Sequence, residues 1–122
     1  MTRSALETVQ LYIEHTSNRG DESWVPRLCA DPVRRHDPNK ITDMSHAMQM
    51  TRFRESKLRP LEPFFTDVLL TAQGEYVTWI WNMALRKGEM AVCGIEVFKV
   101  QDGLITDVWN TSYMEGAWPA LD

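Results

Sequence analysis

The sequence lacks most of the motifs that announce a known chemistry. It has no glycine-rich phosphate loop, no dinucleotide fingerprint and no serine or cysteine nucleophile motif. Cysteine occurs only at Cys29 and Cys93, with no metal spacing, and two reduced core thiols are expected. No arrangement of histidines and carboxylates matches a metal motif, so neither a metal nor another cofactor is expected. Basic residues form no stripe and the formal net charge is −4, which argues against nucleic acid as a partner. No apolar run approaches the ~18 residues of a membrane span. The opening MTRSALETVQ has no signal-peptide apolar core, so a cytoplasmic protein is expected. Repeats, linkers and low-complexity stretches are absent as well.

What is present suits one soluble domain over residues 1–122. The 122 residues are enough for one real core and too few for two. Five tryptophans and seven methionines are many for this length and suit an adaptable apolar pocket or a core filled with methionine. Ala5, Leu6, Val9, Tyr12, Ile13 and Thr16 recur at helical spacing, so Arg3 to Asn18 reads as a helix stopped near Gly20. A second, short helix is expected from Glu22 to Cys29, with Asp21 or Ser23 as cap and Pro26 in its first turn. Prolines 32 and 38 bracket a short extended segment. Thr42 or Asp43 is expected to cap a third helix running to Leu58, with Met44, Ala47, Met48, Thr51 and Leu58 inward, ended by Pro60 and Pro63.

After Pro63 the chain reads as strand. Phe64–Thr71, Tyr76–Arg86, Glu89–Val100 and Leu104–Tyr113 are separated by Gln73-Gly74, Lys87-Gly88 and Asp102-Gly103, the short breaks of a meander. The tail beyond Tyr113 is expected to be loose apart from Trp118. The fold class is therefore α+β, a curved antiparallel sheet wrapped around three helices.

One residue breaks the pattern. Met90, Val92, Gly94, Glu96, Phe98 and Val100 share a strand face, and Glu96 stands alone as an acid among apolar neighbours. An anion there is costly, so Glu96 is expected to be neutral, paired or open to solvent. The opposite face, with Ala91, Cys93, Ile95 and Val97, is too apolar for water. A second subunit is expected to cover it, with Trp79 or Trp81 nearby.

The element order, and above all Gly94-Ile-Glu-Val-Phe-Lys-Val followed by Asp102-Gly-Leu-Ile-Thr-Asp-Val-Trp109, resembles the last two strands of the nuclear transport factor 2-like fold. That fold includes ketosteroid isomerase, limonene epoxide hydrolase, scytalone dehydratase and the SnoaL-like polyketide cyclases. The resemblance implies a cone-shaped sheet and a homodimer-forming, cofactor-free domain that binds a small apolar molecule. Tyr12 in Leu-Tyr-Ile-Glu, Asp37 in His-Asp-Pro and Glu96 are similar in type and order to ketosteroid isomerase's phenol, base and protonated acid. Ketosteroid isomerase is a standard worked case of that chemistry.

The resemblance implies proton transfer by Asp37, with Tyr12 and Glu96 stabilising charge on oxygen. Proton-shifting isomerisation or cyclisation of a polyketide, terpenoid or steroid-like compound is implied, with dehydration, epoxide opening or plain ligand binding as alternatives. Arg35, His46, Asn110, Phe98, Trp79 and Trp81 are the further substrate-binding candidates. Each also has a purely structural reading: Asp37 turning the chain before Pro38, Tyr12 as core, Arg35 on the surface, the tryptophans as subunit contacts. His36 is expected to point away from Asp37, because successive strand residues alternate faces. His15 is expected to be an exposed helix residue.

Overall fold

The computed structural model describes residues 2–58, 63–85, 91–111 and 114–121. Helix α1 covers Ala5–Tyr12, and its last stretch, Ile13–Asn18, widens into a π-helical turn. Ser4 caps α1 by accepting the Glu7 N–H at 3.1 Å, which satisfies one of the free donors of the first turn. A 3₁₀ turn at Glu22–Trp24, capped by Asp21, leads into α2 at Val25–Leu28. The strands are β1 Cys29–Asp37, β2 Lys40–Met44, β3 Pro63–Gln73, β4 Tyr76–Leu85, β5 Ala91–Gln101, β6 Leu104–Asn110 and β7 Met114–Glu115, with α3 at His46–Leu58 between β2 and β3. The expected Lys87-Gly88 turn, Pro60, Tyr113 and the Leu58 side chain lie outside the described residues.

The strands form one curved, open sheet in the order β2-β1-β6-β5-β4-β3, with β7 pairing β5 beyond the end of β6. The meander is as its turns suggest. Asp102 and Gly103 both have positive φ, 54° and 74°, and join β5 to β6 with Gln101 facing Leu104. Two features depart from the expected antiparallel sheet and helix start. The sheet is mixed, because β1 runs parallel to β6 with Arg35 beside Val108. Lys40–Met44 is a strand paired to β1 through a two-residue turn, where the sequence suggested the cap of α3. Pro38 followed by Asn39 at φ 64° is the residue pair that a type II turn favours. Ser45 takes over the capping of α3, its Oγ accepting the Met48 N–H at 3.2 Å.

The core lies between the concave face of the sheet and α1 and α2. Val9, Val25, Leu28, Trp79, Phe98 and Ile105 are almost completely buried there. Trp79 and Trp81 face this core, not the convex side where a partner was expected to meet them. Trp79 pairs with Glu96 and Trp81 with Gly94, so all four side-chain positions lie on the concave face. Helix α3 is rotated from the expected phase. Gln49, Met50, Phe53 and Ser56 turn inward, while Ala47, Met48 and Thr51 are exposed.

Asparagine side chains tie down two loose edges. Asn18 brackets the Phe65 backbone on edge strand β3, accepting its N–H at 2.7 Å and donating to its carbonyl at 3.1 Å. Asn82 holds the Trp118 backbone in the same way, at 2.7 and 2.9 Å. Both amides stand in for a neighbouring peptide group.

Gly94 is fixed by packing. A methyl on its Cα would enter the Trp81 ring. We expect Gly94→Ala to cost about 1–3 kcal/mol, the usual range for overpacking, as a lower urea midpoint with unchanged m-value. A variant as stable as wild type would show that Trp81 does not lie over this glycine.

Candidate functional site

Glu96 sits at the centre of a row across the concave face, between Trp79 on β4 and Asn110 on β6. The next row carries Val77, Phe98, Val108 and Arg35. Asp37 lies two residues beyond Arg35 on β1 and therefore faces the same way. Tyr12 descends from α1, its ring 5.7 Å from Phe98 and 5.9 Å from Phe53 of α3.

Tyr12 and Glu96 line one cavity of about 220 Å³. Its walls are aromatic: Phe53, Phe65 and Trp79. The Trp79 indole is fixed by donating to Asp67 Oδ1 at 2.8 Å, and Phe65 packs against it at 5.4 Å. Around the mouth stand Ser17, Arg52, Glu55 and Ser56. Among the described residues neither the Glu96 carboxyl nor the Tyr12 hydroxyl has a hydrogen-bond partner, and both remain partly open to the cavity. A wider groove runs over the surface between α1 and β3, lined by residues such as Glu7, Leu11 and Thr66, and none of the candidate residues lies in it.

The chain matches no protein-family model and no curated protein. Its fold matches solved structures along nearly its whole length. A proposed ketosteroid isomerase of Kribbella flavida is 22% identical with a TM-score of 0.76, over 99% of this chain and 85% of that one. An LEH-like epoxide hydrolase of M. tuberculosis is 20% identical with a TM-score of 0.72, over 90% of this chain and 83% of that one. A SnoaL-like polyketide cyclase of Agrobacterium tumefaciens is 9% identical with a TM-score of 0.72, over 92% of each chain. The fold is nuclear transport factor 2-like. At these identities the likeness speaks for architecture, and the chemistry has to come from the site itself.

Within this nuclear transport factor 2-like frame the sequence candidates divide. Tyr12, Glu96 and Trp79 line the cavity. Phe98 supports Tyr12 from the sheet, Asn110 flanks Glu96 in register and Trp81 packs on Gly94, but none of the three is a lining residue. Asp37 accepts from Arg35 Nε with both oxygens, at 3.0 and 3.2 Å. His46 is engaged elsewhere: its ring Nε2 lies 2.8 Å from the Cys29 carbonyl and its backbone N–H donates to Asp31 Oδ1. His36 faces the convex side, as expected from alternation, bonded to Asp107 at 2.8 Å and stacked on Trp109. His15 differs from the expectation: it stacks on Trp24 at 3.9 Å and is mostly covered. Among the described residues no group of three or more histidines, cysteines and carboxylates could hold a metal ion.

Sequence reasoning missed Arg52, Ser17 and Ser56. The phase error in α3 hid Arg52 and Ser56, because Ser56 shares the inner side with Phe53 and the exposed Arg52 stands at its edge. The pairing of Met50 with Phe53 at i, i+3 was the available signal.

The electrostatics follow from the burial. Desolvation pushes the Glu96 carboxyl from 4.5 up to about 7, against the pull of Arg35 and Arg52. Desolvation also lifts the Tyr12 phenol well above its usual range, with Cys29 adding to the rise, so Tyr12 is a neutral donor. Folded Glu96 binds its proton more tightly than unfolded Glu96. Its contribution is therefore fully present below about pH 4.5 and is lost as pH rises towards about 7. Glu96→Gln abolishes that ionisation. We expect the variant to match wild type near pH 5 and to exceed it at pH 8 by up to about 3 kcal/mol, less where the cavity hydrates the carboxylate. Chemical denaturation across pH 5–8 checks this; a variant that loses stability at pH 8 would make Glu96 an ion-pair partner instead.

Proposed function

We propose that the protein is a cofactor-free acid–base catalyst acting on a small, apolar, oxygenated molecule, by isomerisation or ring closure through an enolate. The observation that carries this reading is the pairing of an unengaged carboxyl with an unengaged phenol on one aromatic-walled cavity. With a pKa of about 7, Glu96 can take or give a proton at neutral pH. Its carboxylate takes a proton from the carbon beside a carbonyl. The Tyr12 hydroxyl donates to the oxygen as negative charge develops there. In isomerisation Glu96 then returns the proton to a different carbon. In ring closure the enolate carbon attacks a second carbonyl and Glu96 gives its proton to the alkoxide so formed. Either way the enzyme is restored.

The base role that the ketosteroid isomerase resemblance gives Asp37 passes in this proposal to Glu96. Both Asp37 oxygens already accept from Arg35, and Asp37 does not line the cavity that holds Tyr12 and Glu96. The volume of about 220 Å³ is below the ~300 Å³ low end of typical ligand sites, and favours one or two rings over a four-ring steroid. The comparisons support the general kind, since isomerase, cyclase and epoxide hydrolase descriptions all occur among proteins of this fold.

Deuterium exchange tests the reaction class without the natural substrate. Incubated in D₂O with a two-ring ketone such as tetralone, wild type is expected to speed exchange at the carbon beside the carbonyl. Glu96→Ala should lose about 10²–10⁴-fold of that rate, and Tyr12→Phe a smaller part. Equal rates in wild type and Glu96→Ala would remove Glu96 from the chemistry.

We also propose a two-fold homodimer through the convex face. Ile80, Ile95, Val97 and Trp109 stand there only half-buried, and Tyr76 extends the patch at 46% exposure. Light scattering at micromolar concentration should give twice the chain mass, falling to one chain in Val97→Asp. A monomeric wild type would count against it.

A further inference from the structure

Arg52 has no evident structural work. Its neighbours' charges are engaged: Arg35 binds Asp37, and Arg54 forks onto Glu22 at 2.5 and 2.7 Å. Arg52 has no ion-pair partner among the described residues, and its one hydrogen bond is a long contact to Met44 Sδ at 3.7 Å. Yet it borders the cavity, and its charge acts on both Glu96 and Tyr12. Two hydroxyls share that rim, Ser56 one turn further along α3 and Ser17 from the π-helical turn.

We propose that the substrate carries a carboxylate, which pairs with Arg52 at the cavity mouth while the apolar body lies against Phe53, Phe65 and Trp79. The proposal rests on the acid–base reading for which end of the molecule reacts, and not for where the anion sits. A guanidinium offers a planar pair of donors that matches a carboxylate's two oxygens. The serine hydroxyls can donate to the same group. One cation beside Glu55 suits a monoanion better than a phosphate dianion, since Glu55 repels added negative charge. The arrangement also orients the substrate. With its carboxylate at the rim, only the opposite end, which carries the reacting carbonyl, reaches Tyr12 and Glu96.

Binding and protonation are then linked. Arg52 pulls the Glu96 pKa down, and an anion that neutralises Arg52 releases that pull. The other groups that face Glu96, namely Tyr12 from α1 and Arg35 with its partner Asp37 from β1, are unchanged by this event. Binding should therefore draw a proton onto Glu96 near pH 7, and by reciprocity the carboxylate should bind better as pH falls.

Calorimetric titration of the full chain with 3-phenylpropanoate and with 3-phenylpropanamide tests this. We expect the carboxylate to bind wild type at least tenfold more tightly than the amide at pH 6.5 and low salt. Arg52→Gln should erase that preference while leaving the amide's affinity within about twofold. The exposed position of Arg52 protects the fold of the variant. In buffers of different ionisation enthalpy at pH 7, wild type should take up protons with the carboxylate and not with the amide. Equal affinities, a preference that survives in Arg52→Gln, or no binding of either probe would overturn the proposal. The ketone exchange test needs no carboxylate, so its failure and this one are separate results.

Discussion

A carboxyl deprived of water must gain a cation or hold its proton, and Glu96 is held between the two. Its strand neighbours on the concave face are Gly94 and Phe98, and its cross-strand neighbours are Trp79 and Asn110. Gly94 and Phe98 offer no donor side chain, the Trp79 N–H is taken by Asp67, and the Asn110 amide makes no hydrogen bond to the Glu96 carboxyl. The two arginines that its charge meets stand away from direct contact, one occupied by Asp37 and one at the rim. Burial therefore prevails over attraction and the proton is retained to near neutrality. The cavity, the aromatic walls and the neutral phenol of Tyr12 all belong to the same enclosure.

The surrounding fold maintains that enclosure. Gly94 gives up its side chain so that Trp81 can lie flat beside the site, and Asp67 pins Trp79 from the edge strand. Asn18 links the end of the first helix to Phe65, which closes the wall opposite Glu96. Arg3 anchors the other end of that helix, donating to the carbonyls of Arg27 and Gly103. Tyr12 is thus carried on a helix tied to the sheet at both ends, which is what positions its hydroxyl over the cavity. Asp37 and Arg35 form a self-contained pair on the same face. Arg35 of that pair pulls on the Glu96 carboxyl, while both Asp37 oxygens are occupied by Arg35.

The strand half of the fold was legible in the sequence because local signals there agree. Asp102-Gly103 can form the turn with two positive φ values that a right-twisted hairpin needs, and strict alternation on either side sets the register. Glu96 stood out for the same reason, as the one acid on an apolar face. Helix α3 misled because Met48 stands on the outside, 50% exposed, while the polar Gln49 is 2% exposed and bonded to the Met44 carbonyl. Composition pointed to one face and tertiary packing chose another. The β2 hairpin was missed because a Pro-Asn turn sits between the two extended segments and Thr42 and Asp43 look like helix caps. Parallel pairing of β1 with β6 joins residues far apart in the chain, and no local pattern encodes it. The Asp37–Arg35 pair is permitted by their shared parity on β1, whereas the cation at the cavity mouth was hidden by the α3 phase.

The central claim is that Glu96 exchanges its proton near neutral pH, and not near the ordinary glutamate range, inside the folded protein. The direct measurement is a ¹³C NMR titration of the glutamate side-chain carboxyl carbons from pH 4 to 9, with the Glu96 signal assigned by its loss in Glu96→Gln. The account predicts a midpoint near 7 for that carbon. A Glu96 midpoint close to the 4.5 of an ordinary glutamate would show a hydrated or ion-paired carboxylate, and would contradict the account.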